Sequence, residues 1–320
     1  MDGETFDFGL ADDEAFVPPI DPDDERLGDP HIMTALGPIE PGALGATILR
    51  GTILRTPPDG GPADARLDDP HVTLSELENA QYAGLTAMVD FTTTDDGLDA
   101  PGARWVAERT ALHLVLATGS AHPAAPGADP ATLAAGLVRD LTEGVAGTAA
   151  RAGVIAIPAD PAWIAAAAAA QATVLAPVAI TVASPLQIDA ALRSAALAGI
   201  DPARTILAGI SGAWPREVLR RPLDAGSWLL VDQLAADWDA DQTHVATIAA
   251  LAQAGSTRVL VGCDLRRRAQ WRAWNGQPGM GYLIDQFAVA LMDHGLSGMD
   301  VRRLLVDAPN EALVSRHLAS

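Results

Sequence analysis

The run Leu265-Arg-Arg-Arg-Ala-Gln-Trp-Arg-Ala-Trp-Asn275 is the one basic, aromatic stretch in an otherwise acidic chain. Guanidinium groups pair with carboxylates and phosphates, and indole rings stack on flat or cationic groups. Arg267, Trp271 and Trp274 are therefore candidates to hold an anionic or aromatic ligand, with loop packing as the competing role. Asp232 follows the apolar run Trp228–Val231 and reads either as a general acid or base or as a loop-capping carboxylate. Cys263 precedes Asp264, and strand alternation turns the thiol away from its neighbour, toward a helix layer, where it would be inert. No nucleophile elbow, phosphate-binding loop or dinucleotide fingerprint is present.

The elements that must position these residues alternate along the chain. Short apolar runs predict strands at Ala46–Leu49, Thr86–Phe91, Leu112–Ala117, Val154–Ile157, Pro177–Val182, Thr205–Ala208, Trp228–Val231 and Arg258–Gly262. Amphipathic stretches between them predict helices at Leu74–Tyr82, Ala103–Ala111, Pro130–Ala150, Pro161–Ala172 and Leu186–Ala198. Pro215–Leu223, Asp241–Ala254 and Met280–His294 complete the series. Such alternation is the pattern of an α/β (β/α)8 TIM barrel, and a doubly wound open sheet would alternate in the same way. Residues 1–30 are acidic and carry Pro18, Pro19, Pro22 and Pro30 without periodicity, which predicts a flexible N-terminal extension ahead of a barrel over 31–320.

Composition narrows the function classes. A formal charge of −20 argues against nucleic-acid binding, which needs a basic face. No run reaches the length of a membrane span, and the first residues lack the basic and apolar regions of a secretion signal. With a single cysteine, no intrachain disulfide can form, so a cytoplasmic location is expected.

Several short motifs, in order, resemble the phosphotriesterase family of the amidohydrolase superfamily. Thr34-Ala-Leu-Gly-Pro-Ile39 and Leu44-Gly-Ala-Thr-Ile48 match its opening, Gly84-Leu-Thr-Ala-Met-Val-Asp90 its second strand, and Ala117-Thr-Gly119 the end of its third. Gln270-Trp-Arg-Ala-Trp-Asn-Gly-Gln-Pro-Gly279 resembles a late loop of some members. The resemblance implies a (β/α)8 barrel and a binuclear zinc-type centre. Its ligands would be two His from strand 1, a modified Lys from strand 4, His from strands 5 and 6, and Asp from strand 8. This sequence has Arg50 and Thr52 at the first two positions, then Ala156, Thr181, Ile210 and finally Asp264. No histidine lies between His122 and His244 to replace the strand-6 ligand. Five of six ligands are missing, so no metal cofactor is expected.

A lone Asp264 in the vacated barrel mouth would need a counter-charge, and Arg50 on the adjacent strand is expected to pair with it. Thr52, Thr181 and His122 are expected to contribute hydrogen bonds to a ligand there, while His244, His294 and His317 are assigned to outer helix surfaces or interfaces. The leading expectation is a non-hydrolytic barrel that binds a small, anionic molecule or a partner such as a second copy or an active relative. The alternatives are a metal-independent lyase or isomerase using Arg50, Asp264 and Asp232, and a metal hydrolase with rearranged ligands.

Overall fold

Each barrel strand is an apolar run of three to seven residues, too short for a stable helix and bounded by turn residues. The computed structural model describes residues 27–58, 60–234 and 238–317. The strands are β1 Thr47–Gly51, β2 Ala87–Asp90, β3 His113–Gly119, β4 Ala152–Pro158, β5 Val178–Thr181, β6 Thr205–Ile210, β7 Trp228–Val231 and β8 Val259–Val261. All are parallel, and each pairs with its predecessor in the chain. A parallel bridge from Leu49 to Gly262 and the bond from Cys263 N to Leu49 O (3.1 Å) join the last strand to the first. That closure decides for the barrel over the open sheet.

Strand alternation splits the apolar residues into two layers. Leu49, Val89, Val115, Val154, Ile206 and Leu230 fill the barrel interior. Ile48, Met88, Leu114, Ile155, Leu207 and Leu229 face the helices. Cys263 is in the outer layer, as alternation predicts, and burial pushes its thiol well up. The hairpin Ile32–Thr34/Gly37–Ile39 lies under the N-terminal end of the barrel, where Ala35 N bonds Leu114 O at 2.7 Å. Thr34 Oγ1 donates to Gly37 O across its turn, so the Thr-x-Leu-Gly run builds this plug.

The helices are α1 Pro70–Ala83, α2 Ala100–Ala107, α3 Pro130–Thr142, α4 Pro161–Gln171, α5 Ile188–Leu197, α6 Arg216–Asp224, α7 Trp238–Gln253 and α8 Ala288–Asp293. Asp69, Asp99, Asp129 and Asp160 cap four of them by accepting amides of the first turn, with proline at the first or second helical position. These caps start α1 and α2 earlier than predicted. The stretch predicted as one helix over Pro130–Ala150 ends at Thr142, because Gly144 (φ +139) and Ala146 (φ +51) leave helical geometry. The expected extension lies mostly outside the described residues. Leu27 to Pro30 run beside the C-terminal strand, with Gly28 N bonded to His317 O at 2.8 Å. Among the described residues no helix is long and apolar enough to cross a membrane.

Gly119 ends β3 at φ +124, and a Cβ there would sit 2.1 Å from the backbone oxygen of Ala156. Gly119→Ala should therefore lower stability by roughly 2–4 kcal/mol, read as the midpoint of urea unfolding.

Candidate functional site at the barrel mouth

Arg50 enters the barrel through a break in β1. The register with β2 shifts between Leu49 and Gly51, leaving Arg50 as the extra residue of a bulge at φ +58. In a regular strand Leu49 and Arg50 would face opposite layers. The left-handed conformation, costly for a branched chain of this size, turns the guanidinium toward the axis.

The partner of Arg50 is Asp232, just past β7. Arg50 Nη1 donates to Asp232 Oδ2 at 2.7 Å, whereas Arg50 Nη2 stands 3.9 Å from Asp264 Oδ2, too far for a hydrogen bond. The pairing expected from the sequence, Arg50 with Asp264, is present as the longer ion pair, while the hydrogen bond goes to the fully buried Asp232. A second bulge, in β6 opposite Leu229–Val231, aims the amides of Gly209 and Ile210 at the same carboxylate, each at 2.9 Å. Burial pushes the Asp232 carboxyl upward against the pull of Arg50 and the Gly209 amide. Arg50 is held above its ordinary range: burial opposes its charge, but Asp232 and Asp264 more than offset it.

Asp264 is taken by Arg266, whose Nε approaches Oδ1 at 2.5 Å. Arg266 Nη1 reaches Asp96 Oδ2 at 3.0 Å, and Arg55 Nη2 reaches Asp96 Oδ1 at 2.7 Å. Three carboxylates and three guanidiniums thus alternate across the mouth: Asp232, Arg50, Asp264, Arg266, Asp96, Arg55. Beside them lies a cavity of about 340 Å³. Its wall carries Arg50, Arg266, Ser120, Thr181 and Gln187, over an apolar floor of Phe91 and Ala156. Ser120 Oγ is held between Asp95 Oδ2 (2.6 Å) and His122 O (2.8 Å), with its one proton serving the closer carboxylate, and accepts from His122 N at 3.0 Å.

Of the residues singled out from sequence, Arg50 and Thr181 line this cavity; Thr52, His122, Arg267, Trp271 and Trp274 do not. Thr52 is buried behind the bulge. The His122 ring is exposed, and its backbone makes the contacts: the carbonyl with Ser120 and Trp163 Nε1, the amide with Ser120 Oγ. Trp271 is fully buried and donates to Leu265 O at 3.0 Å, so it packs the loop instead of offering a stacking face. Trp274 lies under Arg268, which pairs with Asp68. The loop is fastened by buried Glu76, which accepts the amides of Ala273 and Met280, both at 2.8 Å. Arg267 points to solvent, and its neighbour Arg266 reaches the cavity instead. Nothing in a run of three arginines tells which one faces inward. Gln187 was also missed, because it comes from a short turn before α5.

The sequence profile of the phosphotriesterase family matches residues 30–313. The chain belongs to this family. No curated protein matches the chain. Among solved structures, a lactonase from Listeria monocytogenes superposes with a TM-score of 0.81 at 19% identity, over 88% of this chain and 98% of that one. A resiniferatoxin-binding protein from Rhodobacter sphaeroides gives 0.80 at 21%, over 88% and 94%. A phosphotriesterase homology protein from Escherichia coli, complexed with phosphate in its active site, gives 0.78 at 22%, over 85% and 99%. At these identities the likeness is one of fold. Among the described residues of this phosphotriesterase-family chain, no three His, Cys, Asp or Glu side chains converge as metal ligands.

The ladder makes a graded prediction. Arg50→Met strands Asp232 in the interior and should cost about 3–5 kcal/mol. A double-mutant cycle should give strong coupling of Arg50 to Asp232 and weak coupling to Asp264, measured by denaturant unfolding. Asp90, buried beside the ladder, accepts Ile53 N and Thr92 N, yet burial raises its carboxyl to about 6. The folded state then holds a proton that the unfolded chain has already released. Stability should fall as pH rises from about 4 to about 6, by roughly 1–3 kcal/mol. Asp90→Asn, though less stable throughout, should lose that slope in urea titrations run across this pH range.

Proposed function

We propose that this barrel does not carry out the metal-activated hydrolysis of its family and instead holds a small anionic molecule at its mouth. The observation that carries this reading is Arg50. A fixed positive charge stands where the family resemblance calls for the first histidine ligand, and it donates a hydrogen bond to Asp232. The donors present do not fit a two-cation centre: Thr181 offers a hydroxyl, Ala156 and Ile210 offer nothing, and Asp264 is engaged by Arg266.

Arg50 and Arg266 both reach the cavity wall, with Ser120, Thr181 and Gln187 around them. Two guanidiniums and the Thr181 hydroxyl over an apolar floor suit a carboxylate or phosphate carried on a small organic body, and the carboxylate on the lining, Asp160, is turned to the amides of Ala162 and Trp163. The E. coli phosphotriesterase homology protein, similar in fold, is complexed with phosphate in its active site, which supports an anion as the ligand. The ladder's negative charges are matched by its own arginines, so an anion would be held by the spare N–H groups of Arg50 and Arg266. The lyase or isomerase alternative needs a carboxylate ready to take a proton. Asp232 already accepts three donors, which favours binding over proton transfer.

Two measurements test this reading. Protein purified in the presence of zinc or manganese should contain well under one equivalent of metal per chain, and a content near two equivalents would overturn it. Inorganic phosphate or small dicarboxylates should raise the melting temperature of the native chain and fail to do so for Arg266→Met. An equal response in that variant would remove the mouth as the anion site.

A further inference from the structure

A second polar cluster lies outside the cavity, where the end of β6 meets the start of α7. Ser211 follows Ile210 at the end of β6, and its Oγ lies 3.2 Å from His244 Nε2. On α7, Asp241 precedes His244 by three residues, so the two side chains share a helix face. His244 Nδ1 stands 3.8 Å from Asp241 Oδ1, and Tyr282 OH donates to the other oxygen, Oδ2, at 2.5 Å. The sequence reading placed His244 on an outer surface. The structure buries it, at 5% exposure, with Asp241 at 1%.

The surrounding contacts constrain where the protons can lie. Ala213 N–H donates to Ser211 Oγ at 3.2 Å, so the serine's own proton is left to point elsewhere. The Asp241 carboxylate stands beyond hydrogen-bond reach of Nδ1 at 3.8 Å, and its charge favours a hydrogen on that nitrogen, the tautomer in which Nε2 can accept from the hydroxyl. Burial and the bond to Asp241 hold the Tyr282 phenol well above its usual range, so it remains a donor that fixes the carboxylate. The loop and helix are pressed together around this contact. A Cβ on Gly212 would come within 2.9 Å of His244 Cα, and Thr247 Oγ1 donates to Gly212 O at 2.9 Å. Ser211 itself is only partly buried, and it leaves the barrel at the end of the strands that carries the mouth.

We propose that Ser211, His244 and Asp241 form a nucleophilic array that accepts the acyl group of a small carboxylic ester. Ser211 Oγ adds to the ester carbonyl carbon as its proton passes to His244 Nε2. Collapse of the adduct breaks the carbon–alkoxide bond, and the departing alcohol takes the proton from Nε2. Water then adds to the acyl-serine, giving a proton to Nε2, and the acid leaves as that proton returns to Ser211 Oγ. Ser211 and His244 are the catalytic residues, while Asp241 acts through the imidazole and Tyr282 through Asp241. The array draws on none of the family's metal-ligand positions and is independent of the anion site.

A fluorophosphonate, which bonds to activated serine hydroxyls with loss of fluoride, tests the array on the full chain. One adduct per chain is expected by intact mass, mapped to Ser211 by peptide sequencing and absent in Ser211→Ala. His244→Gln should slow labelling by about 100-fold or more, as loss of a general base does. In the unaltered chain the labelling rate should rise with pH through the imidazole range. Asp241→Asn should slow labelling while leaving Ser211 as the labelled residue. Absence of a Ser211 adduct on the folded chain, labelling as fast in a folded His244→Gln, or a flat pH profile would overturn the proposal. Metal content and anion-induced stabilisation are read separately, so failure here leaves the mouth reading standing.

Discussion

The buried contact between Arg50 and Asp232 is the constraint around which the mouth is arranged. Moving either charge out of water costs several kcal/mol, and their attraction repays this only with good geometry and further donors. The chain supplies both through irregularities in otherwise regular strands. One bulge swings Arg50 inward at φ +58, and another turns the Gly209 and Ile210 amides onto the carboxylate. Without either bulge, alternation would point the groups away from each other.

The rest of the ladder extends that pair outward. Asp264 is partly open to solvent and shared between a distant Arg50 and a close Arg266, and Asp96 in turn joins Arg266 to Arg55. Alternating charge lets six ionic groups crowd one rim without net repulsion. It also leaves two guanidiniums, of Arg50 and Arg266, at a cavity wall. At the opposite end, the hairpin at Ile32–Ile39 and the turn of helix at Ala308–Ala312 close the barrel with apolar side chains.

Much of the scaffold was legible beforehand. The eight apolar runs fall on the eight barrel strands, and the acidic caps followed by proline mark where helices begin. The absence of histidine between His122 and His244 was equally plain, since counting needs no geometry. The loop at 265–275 was less legible. Its Arg and Trp content suggested a ligand, but Glu76 and Asp68 from α1 and its approach claim most of those groups for packing. His244 was misplaced because its helix shows no strong apolar stripe to mark the buried face. Its partner Ser211 lies 33 residues earlier.

The sequence by itself determined the family, the order of strands and helices, and the residue types at the positions where the family resemblance implies ligands. Each of these depends on local pattern or identity, which the chain carries in one dimension. Only the tertiary structure decided that the strands close into a barrel, that Arg50 takes Asp232 in preference to Asp264, and that Arg266 rather than Arg267 faces the cavity. Those outcomes turn on bulges that break the two-residue period and on distances between strands remote in sequence. A single residue out of register there exchanges inside for outside.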